Sequence, residues 1–447
     1  MSNEDRIKLL EEKRDKINNV SCSFCTAKWL QTTLYLQTGY NHSCHHPSPH
    51  QIPLEEIEKD PAALHNSQYK KEQRLKMRIG ERPSECDYCW KIEDLGKNYF
   101  SDRHYKTADY WAWDRFEEIA ESDPGENVYP SYLEVSFSNA CNFACAYCSP
   151  EISSKWAEDV KQNGPYSTGN GLHKHVYKNN ENNPYVNAFW EWFPDALNHL
   201  KVLRITGGEP TMSKDTWKLL DYLIQNPKNI EVAINTNLGV PESLINRLIF
   251  KINQLKEVGI KVDVYTSAES VDAQADYARD GMNFAEWHKN VQRVLDETDS
   301  TVAIMTTINI LSLPSFDQLI HCIMDLRAKY NKDFAYNRIP LSINYLRWPQ
   351  HLQCTLLDEQ VRKDYANLLE KVCENYLKYN TTEKFARLYL EEWDQIKRFC
   401  DYLRTEQVAT HQRSNFVRYI QEYDKRRNKN FAITFPEFAQ LLEDWNA

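Results

Sequence analysis

Twelve cysteines stand in a chain of 447 residues, and their spacing is uneven. Three of them, Cys141, Cys145 and Cys148, fall on the run SFSNACNFACAYCSP. Three thiolates at C-x3-C-x2-C spacing can take three corners of an iron–sulfur cubane, and one iron is then left without a protein ligand. An open coordination position is what separates a catalytic metal site from a closed structural one. The alternative is a zinc knuckle, which needs a fourth local ligand, and none follows closely. Five further cysteines, Cys22, Cys25, Cys44, Cys86 and Cys89, lie towards the N-terminus. Two C-x2-C pairs, Cys22/Cys25 and Cys86/Cys89, suit a zinc ribbon that leaves Cys44 over. His42, His45, His46 and His50, in the His- and Pro-rich stretch 41–53, read as solvated loop residues. Cys322, Cys354, Cys373 and Cys400 share no spacing and read as small buried hydrophobes.

Other residues able to do chemistry sit where strands end. Gly207-Gly208-Glu209-Pro210 closes the run KVLRITGG. Two glycines let a ligand approach the backbone, and Glu209 can accept from a cationic amine; the plainer reading is a strand-to-helix turn with Ser213 as the cap. The run KVDVYTSAES brings Ser267 and Glu269 to another strand end, and Arg279 follows in YARDGMNF. Helix capping for Ser267 and a surface ion pair for Arg279 are the plain alternatives. Thr236, Asn237 and Asn309 end further strands and are expected to face the same cavity, because ligands sit at the carboxyl ends of parallel strands.

The elements that must position these residues are short β-rich runs at 132–137, 201–206, 230–235, 261–266, 301–307 and 341–345. Helical patterns at 214–225, 241–250, 287–297 and 315–329 separate most of them. Strands alternating with helices imply an α/β fold with a parallel sheet. The expected divisions are a cysteine-bearing region 1–95, a linker 96–130 with a helix near 109–120, an α/β region 131–355 and a helical C-terminal region 356–447. The Asn- and Gly-rich insertion 162–185 is either a mobile surface loop or a substrate lid. The charge balance, 54 Lys and Arg against 64 Asp and Glu, gives −10, and 41% of residues are hydrophobic. Those values exclude a disordered chain. The acid surplus argues against nucleic acid as the main partner. The apolar runs are too short to span a bilayer. The N-terminus alternates charge and has no apolar signal core, so a cytoplasmic location is expected. There clustered cysteines serve as ligands rather than as disulfides.

The triplet, with Tyr147 as the aromatic residue before its last cysteine, resembles the signature of the radical SAM superfamily. The resemblance covers about residues 132–346 and implies a partial (β/α)6 barrel. It implies a [4Fe–4S] cluster on Cys141, Cys145 and Cys148, whose open iron binds S-adenosylmethionine (SAM), with Tyr147 against the adenine. It further implies that Gly207, Gly208 and Glu209 hold the cofactor amine, Ser267 and Glu269 the ribose and Arg279 the carboxylate. Where relatives often have Ser-x-Asp-Gly, this chain has Ser267-Ala268-Glu269-Ser270. The N-terminal group resembles a twitch (half-SPASM) module, C-x9–15-G-x4-C with a distant C-x2-C, in which Cys25, Cys44, Cys86 and Cys89 hold an auxiliary [4Fe–4S] cluster and Cys22 is an extra or substitute ligand. Here that module precedes the barrel instead of following it. The implied chemistry is reductive cleavage of SAM and hydrogen abstraction from a substrate, a peptide or protein in first place and a small molecule such as a sugar or nucleotide intermediate in second, with the auxiliary cluster as electron acceptor or substrate organiser; a non-catalytic zinc-binding protein is the alternative from another class. An electron donor such as flavodoxin or ferredoxin is implied as a partner.

Overall fold

The computed structural model describes residues 3–96, 98–169, 174–332, 334–377 and 385–446. In chain order its strands are β1 (Gln31–Tyr35), β2 (Tyr40–His42), β3 (His50–Gln51), β4 (Tyr132–Ser136), β5 (Ala144–Cys145), β6 (Val202–Thr206), β7 (Glu231–Asn235), β8 (Val262–Ser267), β9 (Arg279–Asp280), β10 (Val302–Met305) and β11 (Leu341–Ser342). The six strands read from the sequence are β4, β6, β7, β8, β10 and β11, each within a few residues of its expected place. The fold is α/β, as expected.

Two compact units make up the chain. The first comprises Met1–Ser138, Val176–Gly207 and Gln225–Ala233. In it β1 pairs in parallel with β4, and β4 with β6. On the other side of β1, β2 and β3 add antiparallel. The N-terminal region is therefore an extension of the same sheet as β4, and the unit boundaries do not fall at 95 or 130. Residues 96–130 are not a linker. They form the helices Asp102–Ala108, Tyr110–Trp113 and Phe116–Glu121. Trp111, Phe116 and Ile119 of this segment are buried in one cluster with Phe24, Trp29, Met77 and Trp90. An aromatic, apolar segment of this kind gains more from burial than a solvated connection would.

The second unit comprises Asn139–His175, Gly208–Ile224 and Ile234–Ala447. β8, β10 and β11 run parallel in that order, and β5 pairs antiparallel with β9. The helix Glu242–Glu257 shows why these segments fold as they do: Ile245, Leu248, Ile249, Ile252 and Leu255 recur at helical spacing and are all buried, a single apolar stripe. The C-terminal region is helical, with its longest helices at Glu359–Leu377, Leu390–Thr405 and Arg413–Arg427. Part of the Asn- and Gly-rich insertion is fastened down. Tyr166 is buried, its ring 5.1 Å from Trp156 and 5.2 Å from Tyr419. Residues 170–173 of that insertion lie outside the described residues. Among the described residues no helix is long and apolar enough to cross a membrane.

Candidate functional site

The triplet occupies the loop that leaves β4. Its middle cysteine lies on β5, and the ladder to β9 sets Cys145 opposite Arg279. The loop is fixed from several sides. The Cys141 N–H donates to Ser154 Oγ at 3.1 Å. The Trp156 indole N–H donates to the Cys145 carbonyl at 2.8 Å, and the Tyr419 hydroxyl to the Ala146 carbonyl at 2.6 Å. Two donors reach the sulfurs themselves: the Phe143 N–H lies 3.4 Å from Cys141 Sγ, and Arg279 Nη1 3.7 Å from Cys145 Sγ. N–H donors aimed at sulfur stabilise a thiolate, the form that binds iron. Burial pushes the Cys141 thiol up to about 12 and raises those of Cys145 and Cys148. Metal binding must therefore displace protons from these groups.

Tyr147, Glu269 and Arg279 form one buried constellation. The Tyr147 hydroxyl donates to Glu269 Oε1 at 2.6 Å. Arg279 donates to Glu269 Oε2 from Nε at 3.1 Å and from Nη2 at 2.8 Å. Its guanidinium carbon lies 5.6 Å from the centre of the Tyr147 ring. The resemblance implied contacts to adenine, ribose and carboxylate for these three residues; the structure gives them one another as partners. Ser267 ends β8, half-buried.

Glu209 is buried, and burial raises its carboxyl above the ordinary value despite four bonds that favour the charged form. Its Oε1 accepts from the Thr211 N–H and hydroxyl at 3.0 and 2.7 Å and from the Thr236 hydroxyl at 2.8 Å. Oε2 accepts from the Asn237 N–H at 2.7 Å. Asn237 also donates to Asn142 Oδ1, between the first two cysteines, at 2.9 Å. Gly208 is required by space: a Cβ there would stand 2.6 Å from the Ala140 carbonyl oxygen. Gly207 follows β6. Asn309 is fully buried, its amide turned to the Thr307 carbonyl at 2.9 Å and its oxygen to the Leu311 N–H at 2.9 Å.

In the first unit Cys25, Cys44, Cys86 and Cys89 line one cavity. Gly39 makes the turn between β1 and β2 with φ +73°, and a Cβ there would collide with the Tyr185 ring, so the hairpin that leads to Cys44 needs glycine. Cys22 does not line this cavity; it is exposed, and its thiol reaches the Gly80 carbonyl at 3.3 Å. The cavity thus gathers Cys44 and leaves Cys22 out, one residue different from the zinc-ribbon set. Burial raises the thiols of Cys44 to about 11 and of Cys86 and Cys89 to about 12. Among the described residues no three His, Cys, Asp or Glu side chains stand close enough to share one metal ion. Four sulfurs around one zinc lie about 3.8 Å apart, given Zn–S bonds of about 2.3 Å, so neither cysteine set is drawn up as a single-ion site. A cubane separates its thiolates, one to each iron. His42 is not solvated: it is 4% exposed, its Nε2 lies 3.2 Å from the Tyr35 hydroxyl, and burial lowers it to about 4.

One feature was missed in the sequence. The register puts His42, Thr33, Glu134 and Arg204 side by side across β2, β1, β4 and β6. Glu134 is buried and its carboxyl is raised by that burial, against the pull of Arg204 and Lys106. Thr33 Oγ1 is buried without a hydrogen-bond partner. The signal was available: a charged residue between Leu and Val in β4, and another between Leu and Ile in β6.

Residues 135–323 match the model of the radical SAM superfamily. GTP 3',8-cyclase of Vibrio cholerae serotype O1 is 28% identical over 190 residues, covering 41% of this chain and 49% of that protein. The enzyme of the same name from Campylobacter lari is 28% identical over 138 residues, 30% of this chain and 34% of that one. The chain therefore spans half or less of the length of these relatives. Streptococcus suis SuiB bound to S-adenosylmethionine aligns at 15% identity and TM-score 0.35, covering 70% of this chain and 59% of SuiB. SuiB bound to its precursor peptide SuiA aligns at 13% identity and TM-score 0.35, covering 92% and 74%. Likenesses that loose carry no argument.

Proposed function

From the premise that residues 135–323 are a radical SAM domain, we propose that the protein is an enzyme that cleaves S-adenosylmethionine reductively and abstracts hydrogen from a peptide or protein substrate. The observation that carries the reading is the triplet loop, with N–H donors directed at two of its sulfurs. When bound, the cluster and cofactor supply a one-electron cleavage that yields a 5'-deoxyadenosyl radical; the protein supplies position and insulation. Cys141, Cys145 and Cys148 hold the iron. Glu209 Oε2 accepts the cofactor amine. The Glu269–Arg279 pair fixes Tyr147 and keeps a cation beside Cys145. Cys25, Cys44, Cys86 and Cys89 hold an auxiliary cluster.

The row of Glu134, Arg204, Thr33 and His42 supports the peptide reading. A carboxyl beside a guanidinium on one row of the sheet offers both an acceptor and a donor, the pair that a peptide amide needs. The resemblance to GTP 3',8-cyclase favours a second reading, a nucleotide substrate. The two separate in one experiment. The reduced enzyme is given SAM and a deuterated cell extract split by size, and deuterium in 5'-deoxyadenosine is measured by mass spectrometry. Label from the macromolecular fraction supports a peptide or protein; label from the small-molecule fraction alone overturns that and favours the second reading.

A further inference from the structure

The cavity of the four N-terminal cysteines carries more than sulfur. Lys28, Arg103 and Lys106 line it, with Asp102 as its one carboxylate, and Asp102 is taken up by His46 Nε2 at 2.6 Å. Lys28 and Arg103 are 3% and 2% exposed. Their counterions lie behind them: Lys28 pairs with Glu85, and Arg103 grips both oxygens of Glu93 at 2.9 and 2.7 Å. Neither glutamate lines the cavity. Each pair thus has its cation in the lining of the cavity and its carboxylate outside that lining.

A buried cation is costly unless something gains from it. A cubane with four thiolates is a dianion when oxidised and a trianion when reduced, and its potential follows the charge around it. We propose that Lys28 and Arg103 set the potential of the cluster held by Cys25, Cys44, Cys86 and Cys89, raising it so that this cluster is the acceptor of the substrate's electron. The substrate radical then gives up one electron and one proton. The electron reduces the cluster by one, the proton passes to water, and a one-electron carrier protein reoxidises the cluster afterwards. The proposal rests on the auxiliary-cluster reading above. Lys28 and Arg103 are positioning residues in this account, since neither needs to touch substrate.

The test uses the full chain with Cys141, Cys145 and Cys148 replaced by alanine, reconstituted with iron and sulfide, and titrated to its midpoint potential by electron paramagnetic resonance. Lys28→Met and Arg103→Met are expected to shift the midpoint negative, so that at the parental midpoint the reduced-to-oxidised ratio falls about tenfold. Lys28→Arg restores the parental value. Because Lys28→Met leaves Glu85 unpaired, the double variant Lys28→Met/Glu85→Gln is measured too, and it also shifts negative, by less. A variant that binds four irons per chain, as a cubane requires, yet keeps the parental midpoint or rises overturns the proposal alone. A parent that binds zinc or no iron overturns it by removing the cluster on which it rests.

Discussion

Glu269 shows how much one residue can be asked to do. Its two oxygens receive the Tyr147 hydroxyl and the Arg279 guanidinium, and Arg279 in turn reaches Cys145. Replacing it by glutamine leaves Arg279, 8% exposed, without a carboxylate. Breaking a buried pair costs about 3–5 kcal/mol, so Glu269→Gln is expected to lower the urea midpoint markedly, and Tyr147→Phe to lower it less. A loss below about 1 kcal/mol for Glu269→Gln would mean that water reaches Arg279. The types of these residues were legible in the sequence, but their partners were not. Glu269 and Arg279 are separated by a helix, and nothing in a linear pattern states that a side chain 10 residues away turns back to its predecessor. The triplet was legible because its ligands are local in sequence.

At the scale of elements, the strands and helices of the α/β region could be read from alternation and helical spacing. β1 and β2 lie between Cys25 and Cys44 and are too short to show a clear alternation of apolar and polar residues. Their β-branched and aromatic run, QTTLY, is a fair strand signal, and it carries Thr33 to the side of Glu134. The helical character of 356–447 was legible, but the task of its helix Arg413–Arg427 was not: Tyr419 donates to the Ala146 carbonyl inside the triplet loop, and Tyr423 to the Tyr277 carbonyl at 2.9 Å. Tyr419→Phe leaves a carbonyl in that loop without its donor, at a cost of about 1–3 kcal/mol. The expected outcome is faster removal of iron from the triplet by a chelator, followed by the loss of absorption near 400 nm. An unchanged rate would show that the helix does not brace the loop.

At the scale of the whole molecule, stability should depend on pH through buried imidazoles. His104 and His351 are 2% and 4% exposed, and burial lowers both to about 4 from an ordinary 6.5. His104 also accepts the Ser101 N–H at Nδ1, which opposes protonation there. A folded-state value below the unfolded one means that the unfolded chain binds more protons, so this stability is complete above about 6.5 and is lost as pH falls towards 4. Each residue contributes roughly 3 kcal/mol at the upper end of that window. His351→Phe is expected to reduce the drop in melting temperature between about pH 7 and pH 5. An identical drop in both proteins would contradict the assignment.

The central claim is that Cys141, Cys145 and Cys148 hold a cluster with one iron open to the cofactor. It is tested most directly in full-length protein in which Cys25, Cys44, Cys86 and Cys89 are serine, so that the triplet alone binds metal. The protein is reconstituted anaerobically and reduced, and its electron paramagnetic resonance spectrum is recorded with and without S-adenosylmethionine. The account predicts about four irons per chain, a spectrum altered by the cofactor and release of 5'-deoxyadenosine, all lost in Cys145→Ala. Bound zinc, or a cluster whose spectrum ignores the cofactor, would contradict it.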